Sequence, residues 1–301
     1  MPQPLLDFDY IEYDGTHAVQ VKRPVIAETP WVLYLDGREI LTFMCSPVRI
    51  HALALGFLRS ESLIRDLDDI WRLTVHLDEH QVHLLFPEAG IDEQRIVTSC
   101  EEAIGMIDVR LRIPAPPPPE RRILTSGCGG GITFDDLSGT RPPLQSSLRI
   151  TATQILGLMR ELNYNATLYR ASRGVHTSAL AEGDRLLVVA EDVGRHNTLD
   201  KIRGECLLAG IPTRDRILVT SGRISSEMIT KARTMDVPIV VSRTSPTAMS
   251  VRLAREWGMT LIGYARPPRL RVYAGAERVD LTAVGRLTAA PIILDRTPKA
   301  E

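Results

Sequence analysis

The chain has 301 residues, and its 44% hydrophobic and 24% charged content is that of an ordinary globular protein with room for two domains. Its 37 acidic and 36 basic residues nearly cancel, so the overall charge favours neither a nucleic acid nor a membrane surface as a partner. The apolar runs are too short to cross a bilayer, and the N-terminus lacks the features of a signal peptide. We therefore expect a cytoplasmic protein that binds neither nucleic acid nor membrane.

The first hundred residues predict two β-hairpins and one helix. Asp36-Gly37 separates the apolar runs 31–35 and 38–43, an arrangement typical of a hairpin turn. Ser46 and Pro47 are residue types preferred at a helix N-cap and at the first helical position, so a helix is predicted from there to Leu58. The second hairpin is predicted over 71–75 and 82–86.

A proline-rich run at 114–119 follows these elements. Five of its six residues are proline, which favours extended polyproline geometry and a semi-rigid spacer. We therefore predict a domain boundary here. It separates an α+β N-terminal domain over 1–113 from a second domain over 120–301.

One cysteine stands among four glycines in the segment 126–131. Glycine lets the backbone approach a ligand closely, and successive glycines can aim several amide N–H groups at one anion. The natural anion is the thiolate of Cys128 or a persulfide on it, and such surroundings lower the pKa of a thiol. We favour this reactive cysteine over the alternative of a buried cysteine in a tight turn.

The other three cysteines are Cys45, Cys100 and Cys206, and no two cysteines of the chain form a C-x-x-C pair. This spacing argues against a structural zinc site and against a disulfide framework, so we predict no metal site. Cys45 and Cys206 lie in apolar patterns and are expected in the core.

From residue 150 onward the pattern alternates between helices and strands. A helix is predicted over 150–163, with Thr151 or Thr153 as its N-cap. Asn197 is predicted to cap a second helix that Gly210 closes. This alternation predicts a mostly parallel sheet with helices on its faces. The predicted strands cover 186–190, 217–219, 239–241, 260–264 and 270–273, and the predicted helices cover 197–208, 226–234 and 248–257.

Polar motifs rich in arginine follow the predicted strands. Ligands of such sheets bind beyond the carboxyl ends of the strands, and guanidinium groups pair with phosphates in bidentate fashion. We therefore predict a crevice for a ligand that carries phosphate or pyrophosphate. No glycine spacing fits a Walker loop or a Rossmann fingerprint. The arginines expected to surround the crevice are Arg195, Arg223, Arg243, Arg266 and Arg269.

Three segments, 191–201, 221–228 and 245–247, resemble the FdhD family of formate dehydrogenase accessory sulfurtransferases. The segment 46–61 is similar to the N-terminal part of that family. The likeness extends from about Trp31 to Tyr273. It implies an α/β fold whose C-terminal domain is a cytidine-deaminase-like three-layer α/β/α structure, preceded by a smaller α+β domain.

The resemblance also implies a function. The protein would be a cytoplasmic homodimer that accepts persulfide sulfur from a cysteine desulfurase onto Cys128. It would pass this sulfur to the molybdenum cofactor, a bis-molybdopterin guanine dinucleotide, before the cofactor enters formate dehydrogenase. GDP would mimic part of that cofactor. The implied cofactor-binding stretch, together with the predicted crevice, comprises Tyr264, Ala265, Arg266, Pro267, Pro268, Arg269, Arg195, His196 and Arg223.

One departure from the family pattern concerns the glycine loop. Many members carry C-x-x-C there, whereas this chain has Gly131 at the second position, which excludes two-cysteine chemistry within the loop. Two alternatives therefore stay open: a chaperone that binds the cofactor without moving sulfur, and a hydrolase that uses Cys128 with His196. Zinc deaminase chemistry is excluded, because the H-x-E and P-C-x-x-C motifs are absent.

Overall fold

A computed structural model of the chain describes residues 3–77, 80–85, 92–97, 105–113, 123–124, 132–133 and 141–281. The predicted proline-rich spacer at 114–119 and Cys128 lie outside these residues. The domain boundary placed at the spacer therefore stays a prediction.

The chain begins with an antiparallel hairpin that was not predicted. It consists of β1 (Leu5–Tyr13) and β2 (Ala18–Ile26), which pair only with each other among the described strands. Residues that pair directly share a face of the ribbon, and the register places apolar side chains on both faces, for example Leu6 with Val25 on one and Leu5 with Ile26 on the other.

A six-stranded sheet follows, which we call the N-terminal sheet, and its strand order is β4-β3-β8-β5-β6-β7. Both predicted hairpins are confirmed in it, and Asp36 and Gly37 have the positive φ values, 50° and 80°, that their turn requires. Its elements are β3 (Thr29–Leu35), β4 (Arg38–Cys45), α1 (Ile50–Ser60), β5 (Ile70–Leu77), β6 (His80–Leu85), β7 (Asp92–Val97) and β8 (Gly105–Leu111), with a 3₁₀ turn at Leu67–Asp69.

The predicted start of α1 was wrong. The helix begins at Ile50, after Arg49 in the left-handed region with a φ of 53°. Ser46 does not cap it, because its backbone amide donates to Asp192 Oδ2 and its Oγ accepts from the amide of Val193. The polar groups of Ser46 that could have capped the helix are therefore bound by Asp192 and Val193 of the C-terminal half.

Two short strands, β9 (Ile123–Leu124) and β10 (Ile132–Thr133), pair antiparallel with each other. The C-terminal half then forms a second six-stranded sheet, the C-terminal sheet, in the order β13-β12-β14-β15-β16-β17. Its elements are β11 (Ile150–Thr151), α2 (Ala152–Asn165), α3 (Thr167–Ser172), β12 (His176–Glu182), β13 (Arg185–Asp192), α4 (Arg195–Leu208), β14 (Ile217–Thr220), α5 (Ser226–Thr234), β15 (Ile239–Ser242), α6 (Ala248–Glu256), β16 (Thr260–Arg266), β17 (Arg269–Ala274) and β18 (Val279–Asp280), with a 3₁₀ turn at Ala276–Arg278.

The expectation of a mostly parallel sheet was wrong. Only the pairs β14–β15 and β15–β16 are parallel, whereas β12 runs antiparallel to both β13 and β14, and β17 runs antiparallel to β16. Short hairpin turns join β12 to β13 and β16 to β17, and such turns permit only antiparallel pairing. The fold is mixed α/β, as predicted. The cytidine-deaminase-like arrangement stays a prediction.

Helices cover both faces of the C-terminal sheet. Successive residues of a strand point to opposite sides, so each strand contributes apolar side chains to both cores. Ile217 and Val219 pack with Ile155 of α2, whereas Leu218 packs with Leu199 of α4 on the other face. Helices α5 and α6 contribute to the second of these cores. The N-terminal sheet buries its own core against α1.

Helices α1 and α4 join the two halves through a close crossing at Gly56 and Gly204. A Cβ built on Gly56 would lie 1.8 Å from the carbonyl oxygen of Asp200, and one on Gly204 would lie 2.0 Å from that of Ala52. Backbone therefore touches backbone at this crossing, and α4 lies between α1 and the C-terminal sheet.

Replacing Thr151 by Ala is expected to lower the free energy of unfolding by about 1 kcal/mol, the usual value of an N-cap. Thr151 caps α2, with its Oγ1 accepting from the amide of Gln154 and the Gln154 side chain accepting from the amide of Thr151. Thr153→Ala is the control, because Thr153 is exposed and lies inside the helix. Equal losses in urea unfolding would contradict the assignment of Thr151 as the cap.

No helix in the part of the chain that the structure describes combines the length and the hydropathy of a membrane span.

Candidate functional site

The predicted polar motifs meet at one edge of the C-terminal sheet, which we call the cationic edge. It is the edge where β12 begins and where β14, β15 and β16 end. The backbone amide of Ser221 donates to the carbonyl of Thr177, which places the segment after β14 beside the start of β12. Adjacent strands are about 4.8 Å apart, so residues following β14 and β16 are separated by about 10 Å. One elongated ligand can therefore span the edge.

Arg195 and Arg223 lie together at the β12–β14 end of this edge, around Gly222. A Cβ built on Gly222 would lie 3.0 Å from Arg195 Cβ and 3.5 Å from His176 Nδ1. Glycine is needed at this position because a side chain would fill the space between the arginine and the histidine. Arg195 is buried and Arg223 is exposed. His176 was not predicted as a member of the site, because β12 was not recognised as a strand.

His196 points into the protein rather than along the cationic edge. His196 is 7% exposed, and its Nε2 lies 3.2 Å from both Ser225 Oγ and Glu227 Oε2. Burial, followed by the nearby charges of Arg195 and Lys231, lowers the pKa of His196 to about 3. The ring is therefore neutral at physiological pH and is suited to support α4 and α5 behind Arg195.

The segment 264–269 forms the hairpin between β16 and β17 at the other end of the cationic edge. Tyr264 has a φ of 50°, and the guanidinium carbon of Arg271 lies 4.2 Å from its ring centroid. Arg266 Nε donates to the carbonyl of Arg243, which ties this hairpin to the end of β15. Tyr264 is 37% exposed, and the four residues from Arg266 to Arg269 are also exposed. Ala265 is buried in the core, so only its backbone can reach a ligand.

Arg243 faces a small cleft of about 20 Å³ on the α2 side of the same edge. Tyr169 and Asn163 also line this cleft, together with Thr177 and Ser221. The cleft lies across the sheet from His196, and its lining groups include an aromatic ring, an amide and a guanidinium.

Much of the segment 191–201 is structural. The Asp192 carboxylate accepts from the Lys201 ammonium at 2.5 Å and from the backbone amides of Ser46 and Gly194. Lys201 also donates to the carbonyls of Ser46 and Glu191, and both charged residues are fully buried. Asp192 is therefore bound by Lys201 and by backbone amides. It joins the N-terminal sheet to the start of α4.

Asn197 belongs to the same structural cluster. The helix α4 begins at Arg195 with Gly194 as the N-cap, so the predicted cap at Asn197 was wrong. Its side-chain amide instead donates to Asp192 Oδ1 and to the carbonyl of Met44. The Asn197 amide therefore binds the Asp192 carboxylate and the end of β4, and does not cap the helix.

A second buried ion cluster links α4 to α5 and to the end of α1. The Lys231 ammonium donates to both oxygens of Asp200 at 2.8 and 2.9 Å, and Ser60 Oγ donates to Asp200 Oδ1. Burial opposes the charge on Lys231, but Asp200, Glu61 and Glu227 outweigh it, and its pKa is raised. The two clusters together hold α4, and hence Arg195, in a single position.

Two of the four cysteines can be assessed in the structure. Cys45 is 0% exposed and Cys206 is 2% exposed, as the sequence predicted. Burial, followed by the charge of Asp192, raises the pKa of the Cys45 thiol far above its usual range. Burial, followed by the charge of Glu205, raises the pKa of Cys206 to about 12. Both thiols are therefore protonated and inaccessible, whereas Cys100 and Cys128 lie outside the described residues.

Among the described residues, no group of three or more histidine, cysteine, aspartate or glutamate side chains could hold a metal ion.

The chain is similar to proteins named Sulfur carrier protein FdhD. One from Bacillus subtilis (strain 168) is 32% identical over 275 residues, covering 90% of this chain and 96% of that protein. One from Wolinella succinogenes is 33% identical over 264 residues, covering 87% of this chain and 84% of that protein. A crystal structure from Desulfotalea psychrophila, described as that of a candidate formate dehydrogenase accessory protein, covers 92% of this chain with a TM-score of 0.68.

That crystal structure is 24% identical to this chain and is matched over 100% of its own length, so it establishes a shared fold. The model of the FdhD/NarQ family matches residues 26–280, which include both sheets, the cationic edge and the two buried ion clusters. The chain belongs to the FdhD/NarQ family.

Proposed function

We propose that this protein is a sulfur carrier for formate dehydrogenase. It takes sulfur from a cysteine desulfurase onto Cys128 and transfers it to a bis-molybdopterin guanine dinucleotide cofactor before the cofactor enters the enzyme. The observation that carries the proposal is the similarity to sulfur carrier proteins over 90% of the chain. We further propose that the protein acts in the cytoplasm as a homodimer.

The choice of Cys128 is supported by elimination and by its sequence setting. Cys45 and Cys206 are buried with raised pKa values, and a protonated thiol is a poor nucleophile. Of the remaining two, Cys128 is the one surrounded by glycines. In the proposed transfer the Cys128 thiolate attacks the outer sulfur of the desulfurase persulfide. The S–S bond of the donor breaks, and its cysteine leaves as a thiolate.

The cationic edge supports a substrate that carries phosphate groups. Arg195 and Arg223 lie at one end, and Arg266 and Arg269 at the other. The strands β14 and β16 at these ends are about 10 Å apart across β15. Arginines spread along such an edge suit an extended dinucleotide better than a single phosphate. Tyr264 at the far end is available for stacking against a guanine ring. His196 is proposed to hold Arg195 in place, with its own contact to the cofactor resting on the resemblance.

Incubation with a cysteine desulfurase and cysteine is expected to add one sulfur to the protein, and Cys128→Ala is expected to abolish this addition. Intact-mass spectrometry measures the added sulfur, and GDP binding is measured on the same samples. Cys206→Ala is the control, because it removes a buried thiol and should leave both readouts unchanged. Undiminished persulfide on Cys128→Ala would contradict the assignment of the cysteine. GDP binding without any sulfur uptake by the unaltered protein would favour the chaperone alternative.

A further inference from the structure

His176 is a titratable group at the cationic edge that the proposed function does not use. It is the first residue of β12, and its backbone pairs with Asp192 of the neighbouring strand. The ring is half-buried, and its Nδ1 faces the space above Gly222 that Arg195 also borders. Within the described part of the chain the ring makes no hydrogen bond.

The charges around His176 are mainly positive. Arg195 of α4 and Arg223 of the β14–α5 loop both act on the ring, and His196 lies close enough to interact with it. Asp192 is the acid that faces it, but Lys201 and two backbone amides already bind that carboxylate. The cluster of His176, Arg195 and Arg223, which we call the His176 cluster, is therefore suited to an anion.

We propose that the His176 cluster is a proton-coupled oxyanion site, in which the His176 ring takes up a proton from solvent when a phosphate-type dianion binds and releases it when the anion leaves. The inference rests on the proposed function only for the identity of the ligand, the diphosphate of a guanine nucleotide. In the empty site the neutral ring adds no positive charge beside Arg195 and Arg223. An added dianion offsets the positive charge of the two arginines and favours the imidazolium, which then donates to the anion.

Burial, followed by the charge of Arg195, keeps the pKa of His176 below its usual value in the empty protein. An anion that binds more tightly to the protonated form must raise this pKa by linkage. Because a proton is taken up on binding, the affinity falls as the pH rises between the two pKa values, by at most about tenfold per pH unit.

The first experiment uses sulfate as the probe, because sulfate remains a dianion across the range in which histidine titrates. The pKa of each histidine is measured by NMR between about pH 5 and 8, with and without sulfate. The His176 signal is assigned with His176→Gln, and His17→Gln serves as the control, since His17 lies in the exposed turn between β1 and β2. We expect the pKa of His176 to rise by about one unit with sulfate, and the His17 signal to be unaffected by sulfate.

The second experiment compares GDP binding by the unaltered protein and by His176→Gln at several pH values. We expect the affinity ratio of the two proteins to fall about tenfold as the pH rises through the His176 transition. A constant ratio, with GDP still bound and the His176 pKa unmoved by sulfate, would overturn the inference and leave the proposed function standing. A sulfate-dependent rise in that pKa without any GDP binding would support the site and count against a nucleotide-bearing substrate.

Discussion

Replacing Lys201 by Met is expected to lower the free energy of unfolding by about 3–5 kcal/mol, because it leaves a buried carboxylate without its counter-charge. Lys201 and Asp192 are both 0% exposed at their side chains, and the ammonium donates to Asp192 Oδ2 and to the carbonyls of Ser46 and Glu191. Methionine fills a similar volume, so the effect reports the charge rather than a cavity. Urea unfolding followed by circular dichroism measures the loss.

Arg23→Met is the matched control for Lys201→Met. Arg23 pairs with Glu12 at 3.2 Å, but the two side chains are 60% and 49% exposed. A solvent-exposed ion pair contributes about 1 kcal/mol or less, so this control should barely shift the urea midpoint. Similar losses for the two variants would show that the buried pair does not hold the halves of the protein together.

Replacing Gly204 by Ala is expected to destabilise the protein by at least about 1–3 kcal/mol, the usual cost of overpacking a tight core. The new Cβ would lie 2.0 Å from the carbonyl oxygen of Ala52. The atoms nearest to it are backbone atoms, so no flexible side chain can move aside to relieve the clash. The helices α1 and α4 must therefore separate, which also disturbs Arg195 at the start of α4. Gly56→Ala should behave in the same way, because its Cβ would lie 1.8 Å from the Asp200 carbonyl oxygen.

Gly157→Ala in α2 is the control for the helix crossing. Gly157 also lies within a helix, but nothing lies within 4 Å of the position of its Cβ. Alanine is the better helix former, so this variant should gain about 0.5–1 kcal/mol. Thermal unfolding of the three variants distinguishes the cases. A Gly204→Ala protein as stable as Gly157→Ala would contradict the close crossing.

The site was only partly predictable. Arginines that follow strands were expected to meet at one edge, and Arg195, Arg223 and Arg266 do lie at that edge. His176 was missed as a member, because the strand that carries it to the edge was not recognised. Three polar residues of the segment 191–201, which are Asp192, Asn197 and Lys201, lie instead at the interface between the two halves.

The sequence by itself determined the features that depend on neighbouring residues. The Asp36-Gly37 turn, the Thr151 cap of α2 and the helix α5 over Ser226–Thr234 follow from backbone preferences and helical periodicity. Only the tertiary structure decided the directions of the strands and the hydrogen-bond partners of Ser46. That residue prefers a helix cap locally, but it binds Asp192, 146 positions away, because a buried carboxylate requires hydrogen-bond donors from whichever segment the fold brings beside it.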